Sequence, residues 1–426
     1  MKLVCSPDSS KLPELCGSTL PVLLYHRSEA TVCASAGAAI VEELYRARLV
    51  PNQRAIDFLS LALSIVTADL AIPRAKSPDG WTRQIDLKIS VADPDFWNSQ
   101  IAALQAMLRF LTTDIWNISF LPDGFRLEAL KKEVDYPEET SVALLSGGAD
   151  SLVGVLDLVA SNERPFVISQ TVHGDGEKQG QFATSIGGGL RHLQLNHNAK
   201  FAGDGDRDQR ARSMIFLAYG VLAATTTKSY QDGGTIPLYV CENGFISVNA
   251  PLTEARVGSL STRTTHPIYL SRFQQMLNAA GLRVRIINPY QFKTKGEMFA
   301  ECRNQGDLKR FAHVSTSCSR FRTFGLEHCG RCVPCLIRRA AFHKWGITDE
   351  THYKHADLAK VDDDHANYDD VRSAAMAFAT VEKEGVDALI GATLSSEFIA
   401  DSGPLREVVV RGFAELKSLF ESLGIR

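Results

Sequence analysis

The chain has 426 residues, of which 45% are hydrophobic and 22% are charged, a composition typical of folded globular proteins and not of disordered ones. Its 46 basic and 49 acidic residues leave a net charge of −3, which disfavours a surface for nucleic acid or anionic lipid. The apolar run near the amino terminus is too short for a signal-peptide core, and the longest apolar stretch, residues 214–224, falls short of the roughly 20 that span a membrane. We therefore expect a cytoplasmic protein with neither a membrane nor a nucleic-acid partner.

Residues 1–137 mix short strands and helices and predict a separate α+β domain. In the run QIDLKISV at 84–91, apolar and polar residues alternate, which is the period of a half-buried strand. Asp93 and Pro94 then form a helix start, as N-cap and first helical residue. The apolar residues that share one face of this helix are Ile101, Leu104, Leu108 and Leu111.

From about residue 138 strands alternate with helices, which predicts an α/β domain with a parallel sheet covered on both faces. The second strand, in PFVISQTVHG, is followed by a helix expected at about 182–195. Residues 346–426 predict a helical extension, whose last helix carries one apolar stripe from Leu405 to Leu423 and a stop at Gly424. The predicted domains are thus 1–137, 138–345 and 346–426.

A glycine pair separates the first strand of the 138–345 domain from its helix, in the run Ser146-Gly147-Gly148-Ala149-Asp150-Ser151. The glycines permit backbone angles that let successive N–H groups form an anion-binding concavity, and the helix start adds partial positive charge. Ser146 and Ser151 offer hydroxyl donors, while Asp150 is either an N-cap or a ligand of nucleotide-bound magnesium. The pattern favours a phosphate-binding loop over a bare turn, although it lacks the lysine that ends a Walker loop.

This run resembles the Ser-Gly-Gly-Xaa-Asp-Ser signature of the PP-loop ATP pyrophosphatases, which have a doubly wound, HUP-type parallel sheet. The resemblance implies that the loop binds the β- and γ-phosphates of ATP together with Mg²⁺. In that superfamily a substrate oxygen attacks the α-phosphate, so that the substrate is adenylated and pyrophosphate leaves.

Four of the nine cysteines, Cys318, Cys329, Cys332 and Cys335, lie within one short segment. Tetrahedral zinc accepts four thiolates, and two-residue spacings let neighbouring cysteines bind one ion. An iron–sulfur cluster also suits three cysteines spaced in this way and remains an alternative. With all four ligands supplied by protein, a zinc ion here is expected to be structural.

The loop and the cysteine cluster, in this order, resemble the 7-cyano-7-deazaguanine synthase (QueC) family over about residues 140–343. The run RSMIFLA at 212–218 resembles that family's Arg-Asn…Phe-Leu helix start, and NPYQFKTKGEM at 288–298 its Pro-Leu…Lys-Ala-Glu segment. Arg212 and Lys295 are therefore candidate catalytic cations, because an adenylation transition state requires fixed positive charge near the α-phosphate. The alternatives are an ion pair of Arg212 with Asp206 or Asp208 and a solvated surface position for Lys295.

Two features depart from the synthases. Residues 242–267 are longer and rich in hydroxyl groups, and they include Arg263 and His266 as candidate ligands of a carboxylate or acyl-adenylate. A hydrogen-bonding role in a loop is the alternative for His266. The flanking domains make the layout similar to QatC, a component of bacterial antiphage operons.

The resemblance implies an ATP-dependent carbon–nitrogen ligase that adenylates 7-carboxy-7-deazaguanine and forms an amide, a nitrile or a conjugate. The acceptor is expected to be ammonia or a protein amine, with other proteins of a defence operon as partners. Two alternatives stay open: another PP-loop enzyme, such as a tRNA thiolase, and a nucleotide-binding scaffold without turnover.

Overall fold

The computed structural model describes residues 1–172, 174–206, 209–252, 263–360 and 370–425. The strands in these ranges are Lys2–Ser6 (β1), Thr19–Leu24 (β2), Ala34–Ala36 (β3), Gln84–Ser90 (β4), Ile115–Leu121 (β5), Val142–Leu144 (β6), Phe166–Gln170 (β7), His192–Leu195 (β8), Ile236–Tyr239 (β9) and Val284–Ile287 (β10). They form two five-stranded sheets.

Helices cover or connect these strands. Those of the first half are Ala38–Ala47 (α1), Gln53–Ala71 (α2), Pro94–Ser99 (α3), Ile101–Thr112 (α4), Ala149–Ala160 (α5), Gly176–Ser185 (α6) and Arg212–Ala224 (α7). Those that follow are Lys228–Gln231 (α8), Gly244–Ser247 (α9), Pro267–Ala279 (α10), Lys295–Glu301 (α11), Gln305–Phe311 (α12), Val333–Trp345 (α13), Asp370–Glu384 (α14), Asp387–Leu394 (α15) and Gly403–Ser422 (α16). None of the helices in the described ranges is both long and apolar enough to cross a membrane.

The first sheet has the order β3-β2-β1-β4-β5, and its strand pairings are parallel. The amino-terminal unit is therefore a second parallel α/β arrangement and not the α+β domain expected from sequence. The prediction was wrong because β4 and β5 alternate between buried and exposed residues, a pattern that is more common in antiparallel sheets. Here the alternation arises because one face of the parallel sheet is exposed to solvent at β4 and β5, whereas β1, β2 and β3 are buried almost throughout. The helix start is as predicted, since the Asp93 carboxylate accepts from Phe96 N and Pro94 begins α3.

The second sheet has the order β10-β9-β6-β7-β8, again with parallel pairings, and it confirms the predicted doubly wound core. Strands β6 and β7 are buried along their whole length, as expected for strands covered on both faces. The helix predicted at 182–195 is wrong in its bounds: α6 ends at Ser185, and His192–Leu195 is the edge strand β8. Three glycines with positive φ, Gly187 to Gly189, separate the two elements.

When the strands of each sheet are numbered along the chain, both sheets have the order 3-2-1-4-5. Helices at corresponding places in the two units pack against each other. Helix α2, between the third and fourth strands of the first sheet, packs on α7, which holds that place in the second. Helices α4 and α10, which follow the fourth strands, also pack on each other. Apolar side chains of all four helices and of both sheets form one continuous buried cluster, in which the rings of Phe58 and Phe273 lie 5.1 Å apart.

The carboxyl-terminal helices form a further apolar cluster with α9 and α13, which confirms that the last part of the chain is helical. On α16 the predicted stripe from Leu405 to Phe420 is buried, whereas Leu423 is exposed and Gly424, with φ of 70°, follows the end of the helix. The domain limits at 137 and 345 remain predictions.

Candidate functional site

The loop between β6 and α5 has the geometry of an anion-binding turn. Gly147 has φ of 85°, which side chains other than hydrogen rarely permit, and Gly148 is the N-cap of α5. The Ser146 hydroxyl accepts from Gly148 N at 3.2 Å and lies 3.0 Å from the Ser151 hydroxyl. The loop thus presents an exposed serine and the amino end of a 12-residue helix at the carboxyl edge of the sheet.

Asp150, in the first turn of α5, is paired with Lys295 at the start of α11. The Lys295 Nζ and Asp150 Oδ1 atoms are 2.6 Å apart, and the two side chains are 8% and 6% exposed. On its other oxygen the carboxylate accepts from the side-chain amide of Asn243 at 2.7 Å. Burial alone would raise the pKa of Asp150, but the Lys295 ammonium and hydrogen bonds from Glu242 and Asn243 lower it to about 2. The alternative of a solvated Lys295 is therefore wrong.

Glu242, which follows β9, is a site residue that sequence reasoning missed. Its carboxyl group is hydrogen-bonded to Asp150, and removal from water together with the Asp150 charge raises its pKa well above the usual value. A protonated Glu242 can donate a hydrogen bond to the Asp150 carboxylate, whereas two carboxylates in contact would repel each other. Two carboxyl groups in contact beside the loop at 146–151 form an oxygen donor set of the kind that Mg²⁺ prefers, so the residues present fit that ion.

The segment that precedes the cysteine cluster forms the opposite wall of the loop. Thr316 N donates to Gly147 O at 2.9 Å, and the Thr316 hydroxyl donates to Asp175 Oδ1 at 2.7 Å. Lys178 donates to the Thr316 hydroxyl and lies 3.3 Å from Asp175 Oδ1. Burial lowers the pKa of Lys178, with Asp175 opposing this effect and the Arg338 charge adding to it. This ammonium, which donates to the threonine that contacts Gly147, is a second cation that sequence reasoning missed.

Arg212 is the first residue of α7, and its charge interacts with Asp175 and with His197, which follows β8. Burial and the charge of Arg322 lower its pKa, while Asp175 raises it. The helix start is anchored by the amino-terminal unit, because Asp69 Oδ2 accepts from Ala211 N at 2.8 Å. Of the two alternative partners, Asp206 accepts from Arg74 N at 2.7 Å and Asp208 lies outside the described residues. A phosphate-binding role for Arg212 stays a prediction.

Arg263 and His266 lie at the joint with the amino-terminal unit. Arg263 donates to Phe110 O at 3.2 Å, and its guanidinium lies 4.5 Å from the centre of the Phe110 ring. His266 is fully buried and caps α10, its Nδ1 accepting from Ile268 N at 3.2 Å. Burial, with the charge of Arg263, lowers the pKa of His266 to about 3, so the ring is neutral. These contacts are structural, the substrate role of both residues stays a prediction, and residues 253–262 between them and α9 lie outside the described ranges.

The four predicted cysteine ligands come together, and their sulfur atoms all lie within 4.8 Å of one another. The Cys318 and Cys332 sulfurs are 3.8 Å apart, and those of Cys329 and Cys335 are 3.9 Å apart. Four thiolates bound at about 2.3 Å to one tetrahedral zinc ion are about 3.8 Å apart, so the arrangement fits zinc. A four-iron cubane, in which each thiolate binds a different iron, needs a wider set of sulfurs.

Backbone N–H groups support thiolates at this cluster. Cys318 Sγ accepts from Arg320 N and Cys329 N, and Cys329 Sγ accepts from Cys332 N, each at 3.3 Å. The buried Arg338 donates to the Ser315 backbone oxygen at 3.2 Å and to the Ser317 hydroxyl at 3.2 Å. The cluster and Arg338 therefore fix the short segment whose Thr316 contacts the loop at 146–151.

Comparison with known proteins bears on the last part of this site. The family model for the queuosine biosynthesis protein QueC matches residues 265–346, which include Lys295 and the four cysteines. The 7-cyano-7-deazaguanine synthase of Paracoccus denitrificans is 37% identical over 95 residues, 22% of this chain and 38% of that protein. Two further relatives are the synthase of Rhizobium etli, 37% identical over 98 residues, and synthase 1 of Mesorhizobium japonicum, 34% identical over 95 residues. These matches cover 22% of this chain and 39% and 38% of the two proteins, respectively.

The chain thus spans about two fifths of the length of the curated relatives that it matches. The predicted resemblance to the QueC family is confirmed for residues 265–346, while the loop at 146–151 lies outside this segment.

Proposed function

We propose that this chain is an ATP-dependent carbon–nitrogen ligase that adenylates a 7-deazaguanine-type carboxylate, with 7-carboxy-7-deazaguanine as the first candidate. The observation that carries the proposal is the contact of Asp150, in the loop at 146–151, with Lys295, a residue of the segment that the QueC family model matches. A phosphate loop, a buried lysine and a carboxyl pair at one edge of a parallel sheet suit nucleotide chemistry at the α-phosphate.

In this proposal the N–H groups of the loop and the hydroxyls of Ser146 and Ser151 bind the β- and γ-phosphates of ATP. Asp150 and Glu242 hold Mg²⁺, which when bound neutralises phosphate charge and favours departure of pyrophosphate. Lys295, which is paired with Asp150, would supply positive charge to phosphate oxygen at this place. Lys178 would supply a second positive charge on the Asp175 side, and Arg212 is proposed to bind the α-phosphate or the adenylate.

The reaction forms a bond between a substrate carboxylate oxygen and the α-phosphorus, and it releases pyrophosphate. An amine then attacks the acyl carbon, AMP leaves, and an amide remains. When the amine is ammonia, a second ATP adenylates the amide oxygen and releases pyrophosphate, and loss of AMP, which carries that oxygen away, together with two protons leaves the nitrile. A protein amine would instead give a conjugate. By the QatC-like layout, we place the chain in the cytoplasm of a bacterium, where its product serves antiphage defence together with other proteins.

The first experiment combines the full chain, ATP, Mg²⁺ and 7-carboxy-7-deazaguanine, with and without ammonia, and follows AMP, pyrophosphate and the deazaguanine product by mass spectrometry. We expect AMP and pyrophosphate to form only when the acid is present, and Lys295→Met to abolish both. Lys309→Met, an exposed substitution on α12, should retain full turnover. AMP formation with tRNA in place of the acid would favour the thiolase alternative, and ATP binding without any AMP would favour a scaffold.

A further inference from the structure

Helix α16 contacts both chain segments that present a partner to Asp150. One is α11, which begins with Lys295, and the other is α9, which follows Asn243. This helix lies beyond residue 346, where the match to the QueC family model ends. Its contacts with the two segments are polar on the first and apolar on the second.

On the first segment, α16 bonds both members of the capping box that begins α11. Within the box, Glu297 N donates to the Thr294 hydroxyl at 3.1 Å and Thr294 N donates to the Glu297 carboxylate at 2.9 Å. From α16, Glu415 accepts from the Thr294 hydroxyl at 2.5 Å, and Arg411 Nε donates to Glu297 Oε1 at 2.6 Å. Lys295 is the residue directly after the cap, so these bonds fix the backbone from which its side chain reaches Asp150.

The close approach of Glu415 depends on the absence of a side chain at Gly296. A Cβ atom at Gly296 would lie 2.7 Å from each carboxylate oxygen of Glu415. The glycine is therefore needed for the carboxylate to reach the start of α11. Glu415 is also partly buried, so that water weakens the hydrogen bond from Thr294 less than it would at an exposed site.

On the second segment, α16 packs against the short helix that Asn243 caps. The rings of Phe413 and Phe245 lie 5.4 Å apart edge to face, and a Cβ atom at Gly412 would lie 2.5 Å from the Phe245 ring. Asn243 uses its side-chain oxygen to accept from Ile246 N at 3.0 Å, and its amide nitrogen to donate to Asp150. The position of α9 therefore sets the direction of this amide.

We infer that α16 is a positioning element of the nucleotide site, in which Glu415 and Arg411 hold the start of α11 so that Lys295 meets Asp150 and then phosphate. They are positioning residues, since they act through Thr294 and Glu297. The inference rests on the proposed function for its use of ATP, and the position of Lys295 can be tested without any nucleotide.

The test uses the full chain and four variants: Glu415→Ala, the conservative Glu415→Gln, Arg411→Ala, and Glu421→Ala as an exposed control on the same helix. The first readout is the rate of Lys295 acetylation relative to Lys309, measured by mass spectrometry without nucleotide. The second is the Kd of the non-hydrolysable analogue α,β-methylene ATP, measured by calorimetry. The melting temperature shows whether each variant is folded.

We expect Glu415→Ala and Arg411→Ala to raise both the relative acetylation rate and the Kd by about tenfold, because each variant loses one charge-assisted hydrogen bond. Glu415→Gln keeps an acceptor oxygen and should lie near the native values, as should Glu421→Ala. The inference is overturned if folded Glu415→Ala and Arg411→Ala chains label Lys295 at the native rate, whatever their melting temperatures. If Glu415→Ala does not fold, Arg411→Ala decides in the same way. If the native chain binds no analogue while labelling responds as expected, the proposed function fails and the positioning role stands.

Discussion

Replacing Lys295 with methionine is expected to destabilise the folded chain by about 3–5 kcal/mol, because the Asp150 carboxylate then stays buried without its cation. The two charged atoms are 2.6 Å apart and both side chains are less than one-tenth exposed, so solvent screens the pair little. Asp150→Asn alone leaves the ammonium buried and should also be costly. The double variant Asp150→Asn/Lys295→Met removes both charges. We expect its loss of unfolding free energy to be smaller than the sum of the losses in the two single variants, by about 2 kcal/mol or more.

The pair also makes a pH-dependent contribution of known sign. Because the pKa of Asp150 is lowered from 3.8 to about 2, its contribution to stability is present above pH 3.8 and is lost as pH falls towards 2. The difference corresponds to about 2 kcal/mol. In Lys295→Met the ammonium no longer opposes the effect of burial on the pKa of Asp150, so that pKa is no longer lowered. The fall in stability between pH 3.8 and 2 should therefore disappear in this variant.

The assay is urea unfolding of the native chain, both single variants and the double variant, followed by tryptophan fluorescence at pH 7 and at pH 3. Lys309→Met, which alters an exposed lysine, should stay within about 0.5 kcal/mol of the native value. Additive costs for Asp150 and Lys295, or a cost below about 1 kcal/mol for Lys295→Met, would refute the reasoning.

Three further outcomes are expected. Metal analysis should find one zinc ion per chain. Cys332→Ser should lose the ion and melt at a lower temperature, whereas Cys16→Ser, which alters an exposed cysteine outside the cluster, should keep it. Burial, with the charge of Glu297 adding to it, raises the pKa of Glu415 from 4.5 to about 7, so its contribution to stability is present below pH 4.5 and lost as pH rises through 7. Urea unfolding should show that about 2.5 kcal/mol of this contribution is lost between pH 5 and 8 in the native chain and not in Glu415→Gln. Gly147→Ala should cost about 1–2 kcal/mol in unfolding measurements because φ is 85°, and an unchanged melting temperature would contradict that strain.

Features that depend on neighbouring residues were predictable from the sequence. The loop at 146–151 and the four cysteines form within short segments, and their geometry follows from glycine positions and ligand spacing. Strand β8 was not predictable in this way. It has only four residues, and its buried positions, Leu193 and Leu195, continued the apolar period of α6 closely enough to be read as one helix.

The contact between Glu242 and Asp150 depends on sheet order, which local patterns do not contain. Strand β9 lies beside β6 although about ninety residues separate them, so the residues that follow the two strands meet at one edge. Once β6 and β9 are assumed to be neighbours, the carboxyl groups that follow them, Asp150 and Glu242, predict a contact at that edge. The contacts of Thr316 with the loop and of Glu415 with α11 join residues more than a hundred positions apart, and no periodicity in the sequence reports them.

The joint between the two sheets has a consequence for how the chain behaves on dilution. Two separate subunits that met through corresponding helices would part as their concentration fell, whereas the two units here are tethered and stay at a high effective concentration. Each unit alone would expose an apolar layer of helices to water, which includes Phe58 in the amino-terminal unit and Phe273 in the second unit. A cut between β5 and β6 should therefore produce two fragments that aggregate when separated and pair when expressed together.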